Sequence, residues 1–355
     1  MGTLAPFEAV PALRGAKIDA DDQLRGPVGP LHPAPGGGGT QDLPRPIVGD
    51  FSSEASMPET KLRVGFIGIG AMGTPMSHNI LKAGFPLTVY DRIPARTADL
   101  AKRGVAVAST CAETARKSDV VITMIGQVAE ELEAVLGTGG VLEGAHPGLT
   151  LIDTSTVGIV ASRKMASAAQ ERGVAFLDST VSGSVGPAKE GTLCFMVGGD
   201  PVALDGVRPV LRAMGDRIYH VGPNGAGSAM KVIVNLMIGM TVLTVAETLT
   251  LGRQAGLDPR QMLEILGETA VNSPHLRNKG KMMIEGRFEP AFALKYMQKD
   301  FDLIMEAAHE TKTPLFASAI AHQVYTAANV AGYGELDYSS VVRFLESAAG
   351  MQPPE

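Results

Sequence analysis

The chain has 355 residues, of which 45% are hydrophobic and 19% are charged, and its net charge is −6. This length exceeds what one hydrophobic core usually supports, so the sequence predicts two folded domains. The negative net charge gives no electrostatic reason to expect nucleic acid or an acidic membrane as a partner. Cys111 and Cys194 are the chain's two cysteines, too few for a disulfide framework and without metal-ligand spacing. We therefore expect a cytoplasmic protein with no metal site.

The first 60 residues differ in composition from the rest of the chain. They include nine glycines, nine prolines, eight acidic residues and four basic residues. A segment of this kind buries too little apolar surface to offset the entropy lost on ordering. It also lacks the apolar run of a secretory signal. We predict that residues 1–60 form a disordered tail.

Residues 61–222 alternate short β-branched runs with amphipathic segments such as Pro94–Arg103 and Ala161–Arg172. This alternation predicts an α/β domain of the Rossmann type, a parallel sheet wound on both faces by helices. After Gly222 the strand signals stop, and residues 223–350 are predicted to form an all-helical domain of five or six helices. The predicted strands are Arg63–Ile67, Leu87–Tyr90, Val105–Val107, Val120–Met124, Leu149–Asp153, Val174–Asp178, Phe195–Val197 and Ile218–Val221.

The first predicted strand runs into Gly68-Ile69-Gly70-Ala71-Met72-Gly73, which opens a helix. Glycines at this spacing permit a tight turn, the close approach of a pyrophosphate and the packing of helix on strand. The helix N-terminus adds free N–H groups and the positive end of a dipole. Because strand, turn and helix occur in the required order, we favour a dinucleotide site over a plain glycine turn.

The second predicted strand ends in Asp91 and Arg92, which favour different cofactors. A carboxylate at this position binds the ribose 2′-hydroxyl of NAD, whereas an arginine, helped here by Arg96, binds the 2′-phosphate of NADP. The sequence leaves NAD and NADP open as cofactors.

Two further segments have polar residues among apolar ones. The small residues of Asp178–Gly186, predicted to follow the sixth strand, suit either an anion-binding loop or a simple connection. Lys299 and Asp300 lie in a helical segment, where an exposed ion pair is the simpler interpretation.

Residues 225–252 predict a long helix that is apolar on nearly every side, as buried helices are. Its length would suit a membrane span, but polar residues interrupt it, so we predict a buried helix between the domains. Lys231 and Asn235 are four residues apart and therefore share a face. Burial would lower the lysine pKa towards the range useful for proton transfer; alternatively, the lysine stem packs and its ammonium reaches water.

In combination these motifs resemble those of the β-hydroxyacid dehydrogenase family. The resemblance covers residues 61–350 and rests on GFIGIGAMG, DSTVSGS, GAGSAMKVIVN and KYMQKD, in the family's order. Within the family, the residues around VSGS and KYMQKDF look closest to those of glyoxylate/succinic semialdehyde reductases, and 3-hydroxyisobutyrate dehydrogenase is the alternative. The chain departs from the family's pattern at Ile125-Gly126, where Leu-Pro is usual, and at Val234, where Asn is frequent.

The resemblance implies a function and a set of site residues. It implies an NAD(P)-dependent oxidoreductase that transfers hydride between the nicotinamide and a small aldehyde acid or hydroxy acid, in a homodimer or homotetramer. Lys231 would be the general acid and base, Asn235 its orienting partner, and Met124 part of the cofactor site. The remaining implied contacts are Ser182, Gly183, Phe292 and Asp300 for the substrate, and Thr156 and Lys299 for the nicotinamide.

A non-catalytic scaffold that binds the cofactor is the alternative from another class, because fold does not imply activity. A chromatin-associated relative of the family carries a basic segment and lacks the catalytic lysine. Residues 1–60 are acidic and Lys231 is present here, which favours the enzyme.

Overall fold

All eight predicted strands form in the computed structural model of the protein, which describes residues 61–351. The predicted tail, residues 1–60, lies outside the described residues. The strands make one sheet in the order β3-β2-β1-β4-β5-β6-β7-β8. Their bounds are β1 (Val64–Ile67), β2 (Leu87–Tyr90), β3 (Ala106–Val107), β4 (Val120–Thr123), β5 (Thr150–Asp153), β6 (Ala175–Ser182), β7 (Cys194–Gly199) and β8 (Arg217–Gly222).

The sheet departs from the prediction in two places. First, β7 is antiparallel to β6, although every other neighbouring pair is parallel. Only residues 183–193 connect these two strands, which is too short for a parallel crossover. Second, β6 continues to Ser182, so the prediction that Asp178–Ser182 is a loop after the sixth strand is wrong. This half of the segment pairs with β7 and is mostly buried.

Thirteen α-helices are described. The predicted helix Pro94–Arg103 is divided into a 3-10 turn, Pro94–Thr97, and a short α-helix. The helices are α1 (Gly73–Lys82), α2 (Ala98–Lys102), α3 (Cys111–Arg116), α4 (Val128–Leu136), α5 (Gly158–Glu171), α6 (Val185–Glu190), α7 (Pro201–Arg212), α8 (Ala226–Gln254), α9 (Pro259–Gly267), α10 (Pro274–Glu285), α11 (Leu294–Thr311), α12 (Phe316–Ala328) and α13 (Val341–Ala348).

Residues that alternate along the strands fill two apolar cores, one on each face of the sheet. Phe66 and Ile122 lie in one core, whereas Val121 and Leu151 lie in the other. This is the period of two that a sheet covered on both faces requires. A third core, around Phe301 and the buried side of α8, holds the helices after residue 225 together.

The long helix α8 joins the sheet to the helical part of the chain. By length and composition alone it could cross a membrane, but it packs against β6, β7 and β8 at its start and against α5, α10, α11 and α13 along its length. Of its polar residues Asn235 is buried by these contacts, whereas Thr244 and Glu247 are exposed, so the helix predicted to be buried is buried on part of its surface only. The described residues belong to one compact unit as a result.

The start of α8 is fixed on strand β6 by hydrogen bonds. The carboxylate of Asp178, which is fully buried, accepts the backbone N–H of Gly225 at 2.9 Å and that of Ser228 at 2.8 Å. The hydroxyl of Thr180 donates to the carbonyl of Gly227 at 2.9 Å. A Cβ at Gly227 would come within 2.2 Å of the Asp178 carbonyl oxygen, so only glycine permits this close approach.

Replacing Asp178 should therefore destabilise the fold. Asp178→Ala leaves two buried N–H groups without an acceptor, at about 1–3 kcal/mol each. Asp178→Asn, which keeps one acceptor oxygen, should lose about half as much. Urea unfolding measures both, with the exposed Asp216→Ala as the control. A loss for Asp178→Ala no larger than the control's would contradict the assignment.

Candidate active site

The three motif glycines meet three different steric demands. Gly68 has a φ of +96°, and a Cβ there would lie 2.3 Å from the Met124 carbonyl oxygen. A Cβ at Gly73 would lie 1.8 Å from the Gly68 carbonyl oxygen, whereas a Cβ at Gly70 would meet nothing within 4 Å. Gly68 and Gly73 are thus required by the protein itself, and Gly70 faces open space.

That open space lies where a dinucleotide would be held. It adjoins the carboxyl ends of β1 and β4, at the point where the strand order reverses, which is the usual ligand crevice of such sheets. Helix α1 begins there with no side-chain cap and no acidic residue in its first turn. Free N–H groups and an uncompensated dipole suit a pyrophosphate, so these residues fit the predicted cofactor.

Asp91 braces the glycine turn. Its carboxylate is only 7% exposed and accepts the backbone N–H of Ile69 at 2.8 Å through one oxygen and that of Ile93 at 2.8 Å through the other. The neighbouring Arg92 is exposed and pairs with Glu130 at 2.9 Å, and Arg96 lies 3.6 Å from Asp91. Two exposed arginines therefore lie at the end of β2, each beside a carboxylate, while the Asp91 carboxylate is also engaged by backbone groups.

Residues after β4 and β5 form the opposite side of the crevice. The Ile125 N–H donates to the Ser155 hydroxyl at 2.9 Å, which ties the two strand ends together. Gly126, where the family usually has proline, faces the ring of Tyr296: a Cβ there would lie 3.4 Å from the ring. A tyrosine from α11 thus covers the loop where the chain departs from the family pattern.

Lys299 and Asp300 are not a surface pair. Asp300 is 2% exposed, and its carboxylate lies 3.0 Å from the Lys299 ammonium. Lys299 also donates to the Thr156 carbonyl at 2.6 Å, and Asn235 donates to Asp300 at 2.5 Å. The structure therefore brings together four of the predicted residues, from β5's end, α8 and α11.

Lys231 lies one turn before Asn235 on α8 and is half-buried. Burial of its ammonium lowers the pKa of Lys231 from its usual 10.5; the negative charge of Asp300 opposes this shift, and the positive charge of Lys299 adds to it. A lysine with a lowered pKa gives up its proton more readily. A lowered pKa is what a proton-transfer role requires, and the partial exposure of the side chain is equally compatible with packing of its stem.

Ser182 ends β6 and Gly183 follows it, near the segment that carries Phe292. Gly183 has a φ of +140°, and Ser184 adopts a φ of +61°, which is rare for a residue with a side chain. The Ser184 hydroxyl donates to the Ala291 carbonyl at 3.2 Å. This bond connects the turn after β6 to the segment that precedes α11. Phe292 packs edge-on against Tyr338, with 5.8 Å between ring centroids.

A groove of about 510 Å³ also adjoins Ser182 and Gly183. Its walls come from β7, β8 and the side of α8 with Met230 and Val234, and Lys231 is not among them. The charged and hydrogen-bonded groups of Asn235, Lys299 and Asp300 lie one helical turn from Lys231, outside this groove.

Sequence reasoning missed Ser155, Tyr296 and the buried carboxyl groups of Glu131 and Asp153 beside them. The acidic pair Glu130-Glu131 looks like the solvent face of a helix, and nothing in the local pattern separates its two members. The structural role of Asp178 was also missed, because its partners lie 47 and 50 residues away.

Comparison with known proteins agrees with this geometry. Residues 63–222 match the profile described as the NAD binding domain of 6-phosphogluconate dehydrogenase. Residues 225–345 match the one described as the NAD-binding of NADP-dependent 3-hydroxyisobutyrate dehydrogenase. The chain is also 34% identical to human mitochondrial 3-hydroxyisobutyrate dehydrogenase over 309 residues, which are 85% of this chain and 92% of the human protein. The chain belongs to the β-hydroxyacid dehydrogenase family.

Other members are similar to the same extent. The 2-(hydroxymethyl)glutarate dehydrogenase of Eubacterium barkeri is 35% identical over 82% of this chain and 98% of its own length. Glyoxylate/succinic semialdehyde reductase 1 of Arabidopsis thaliana is 34% identical over 80% and 99%. A solved 3-hydroxyisobutyrate dehydrogenase from Mycobacterium tuberculosis, with L-serine, is 32% identical over 80% and 99%, with a TM-score of 0.73. Like these β-hydroxyacid dehydrogenases, the chain is an NAD(P)-dependent oxidoreductase.

The glycine geometry yields a prediction for a matched pair of variants. Gly70→Ala should fold normally, because its Cβ meets nothing, but should weaken cofactor binding at least tenfold where the pyrophosphate needs the space. Gly73→Ala should instead destabilise the fold, because its Cβ would overlap a backbone oxygen. Fluorescence titration of NADPH and NADH, together with thermal melting, separates the two effects.

The control is Gly206→Ala in α7, where a Cβ also meets nothing within 4 Å. It should change neither readout beyond a small gain from helix propensity. Unaltered cofactor affinity in Gly70→Ala would show that the cofactor lies elsewhere.

Proposed function

We propose that this β-hydroxyacid dehydrogenase interconverts a small aldehyde acid and the corresponding hydroxy acid, with Lys231 as the proton donor and acceptor. The observation that carries the proposal is the position of Lys231, one helical turn from Asn235, which is bonded to the Asp300–Lys299 pair. That pair reaches the end of β5 through the Thr156 carbonyl, where the cofactor crevice lies. These contacts support a role for the lysine between the cofactor side and the substrate side of the cleft.

NAD(P), when bound, supplies or accepts the hydride. The protein's part is to hold a cation beside the oxygen that becomes negatively charged during reduction, and to deliver a proton to it. A protonated Lys231 does both, and the neutral amine takes the proton back during oxidation. Asn235 and Asp300 fix the helix face from which the ammonium projects.

For the substrate we propose a short chain that ends in a carboxylate. Support comes from the turn at Gly183, which follows Ser182 at the end of β6 with a φ of +140°, and from the family members named above, all of which are named for acids or semialdehydes. We favour reduction of glyoxylate or succinic semialdehyde, on the sequence around DSTVSGS. The second candidate is oxidation of 3-hydroxyisobutyrate, which the 34% identity to the human enzyme favours.

For the cofactor we propose NADP(H). The carboxylate of Asp91 is buried and engaged by two backbone N–H groups, whereas Arg92 and Arg96 are exposed beside it and suit a 2′-phosphate. Rates with NADPH and NADH against glyoxylate, succinic semialdehyde, tartronate semialdehyde and 3-hydroxyisobutyrate test both proposals. Faster turnover with NADH would overturn the cofactor proposal, and preference for 3-hydroxyisobutyrate would favour the second candidate.

We also propose a homodimer or homotetramer in the cytoplasm. Several large apolar side chains are exposed on the helical part, among them Ile233 and Met237 on α8 and Phe316 and Ile320 on α12. Such surfaces are typical of protein interfaces. Light scattering would show the assembly, and a monomer at micromolar concentration would contradict it; fractionation of the source cells tests the location.

The role of Lys231 can be tested with three substitutions. Lys231→Ala should lower kcat by roughly 10²–10⁴ while the cofactor still binds, because the proton donor is lost. Lys231→Arg should also be slow, since a guanidinium keeps its proton and has another shape. Lys231→Met, which keeps the packed stem, is the control for a structural role.

Turnover by Lys231→Met near the parent rate would rule out proton transfer by this lysine. If none of the aldehyde acids is reduced by the parent protein although the cofactor binds, the non-catalytic scaffold becomes the better description.

A further inference from the structure

Two carboxyl groups are buried beneath the cofactor side of the cleft and take no part in the chemistry described above. Glu131, in the first turn of α4, and Asp153, the last residue of β5, are both 0% exposed. Neither is paired with a lysine, arginine or histidine of the described residues. One oxygen of each, Oε1 of Glu131 and Oδ2 of Asp153, has no hydrogen-bond partner within this part of the chain.

Ser155 connects the two carboxyl groups. Its hydroxyl donates to Glu131 at 2.7 Å, and its backbone N–H donates to Asp153 at 2.8 Å. The Thr123 hydroxyl also donates to Asp153, at 3.3 Å. Two unpaired carboxylates that are linked through one serine and enclosed away from water repel each other, so the charged form of each is disfavoured.

The groups that face the pair strengthen this conclusion. Burial raises the pKa of Glu131 to about 7, and the Thr123 and Ser155 hydroxyls oppose the shift. Burial also raises the pKa of Asp153, with the negative charges of Glu131 and Asp178 adding to the effect. On α3, burial raises the pKa of the Cys111 thiol to about 12, so it stays neutral and contributes no charge.

The pair is linked to both segments that form this side of the crevice, the one after β4 and the one after β5. While its hydrogen donates to Glu131, the Ser155 oxygen accepts the N–H of Ile125, which begins the loop opposite Tyr296. Ser155 also precedes Thr156, whose carbonyl holds Lys299. A change in the charge of Glu131 therefore acts on the loop after β4 and on the anchor of Lys299 through a single side chain.

We propose that Glu131 is a positioning residue for the cofactor side of the cleft: in its neutral form, beside a neutral Asp153, it holds Ser155 and thereby the Ile125 loop and Thr156, and loss of the Glu131 proton loosens cofactor binding. The proton leaves to solvent, and an uncompensated buried anion remains at Glu131. Because the lost proton makes binding weaker, bound cofactor in turn favours the protonated pair. The proposal rests on the proposed cofactor site but not on the identity of the substrate.

The sign of the pH dependence follows from the raised pKa of Glu131. A carboxyl that is protonated more readily in the folded chain stabilises it below the unfolded pKa near 4.5, and this contribution is lost as pH rises through about 7. The melting temperature should therefore decline as pH rises from about 4.5 to about 7. Cofactor affinity should decline between pH 6 and pH 9.

The test compares Glu131→Gln, Glu131→Met and the parent protein by two measurements. Fluorescence titration of NADPH and NADH covers pH 6 to pH 9, and thermal melting covers the range from about pH 4.5 to about pH 7. The parent's Kd should weaken about tenfold from pH 6 to pH 9, which corresponds to one pKa unit of coupling. Glu131→Gln, a neutral isostere that still accepts from Ser155, should match the parent at pH 6 and stay flat above it. Glu131→Met, which leaves Ser155 without its acceptor, should bind weakly at every pH.

Glu133→Gln, an exposed change on the same helix, is the matched control and should keep the parent's pH dependence. The proposal is overturned if Glu131→Gln retains the parent's slope in both Kd and melting temperature, or if Glu131→Met binds the cofactor as the parent does. Neither readout needs turnover. A failure to find a substrate therefore leaves this result standing, and the two proposals fail separately.

Discussion

The carboxylate of Asp178 holds the first turn of α8 against strand β6, through the N–H groups of Gly225 and Ser228. Burial raises the pKa of Asp178, and these N–H groups oppose the shift. Because β6 lies inside the sheet and α8 runs on into the helical part of the chain, this contact sets the position of one part against the other. Lys231 lies one turn further along α8, so its distance from the sheet edge is fixed by the same contact.

The cleft is completed by groups that come from opposite sides. From the sheet come the glycine turn, braced by Asp91, and the ends of β4 and β5, joined by Ser155. From the helical part come Asn235 and the Lys299–Asp300 pair, which reach back to Thr156. Hydrogen bonds, the Ser155–Thr156 backbone and the Lys299–Asp300 ion pair thus connect the buried carboxyl pair under the cofactor side to the helix that carries Lys231. The β-hydroxyacid dehydrogenase family membership of the chain gives this arrangement its chemical meaning.

The sequence predicted those features that depend on residue type and local spacing. Gly68 and Gly73 were identified because a tight turn and a close helix-strand contact each exclude a Cβ, and the structure shows both exclusions. Asp178–Ser182 was mistaken for a loop because small polar residues favour turns, whereas here pairing with the neighbouring strands decides the conformation. Glu131 could not be singled out from Glu130: one carboxylate pairs with Arg92 at the surface and the other is enclosed, and only the tertiary structure distinguishes them. Tyr296 against Gly126 is likewise a contact between distant segments.

The measurement that tests the central claim most directly is the pH dependence of kcat/KM for both directions of the reaction, in the parent protein and in Lys231→Met. In the proposed mechanism reduction requires a protonated Lys231, whose pKa is lowered from 10.5 by burial. As pH increases through the pKa of Lys231, which lies below 10.5, the rate of aldehyde reduction should therefore fall and the rate of alcohol oxidation should rise. In Lys231→Met the residual rates should lack this ionisation. The account is contradicted if the pH profiles of reduction and oxidation in the parent protein do not change in opposite directions. It is also contradicted if Lys231→Met shows the same two profiles as the parent.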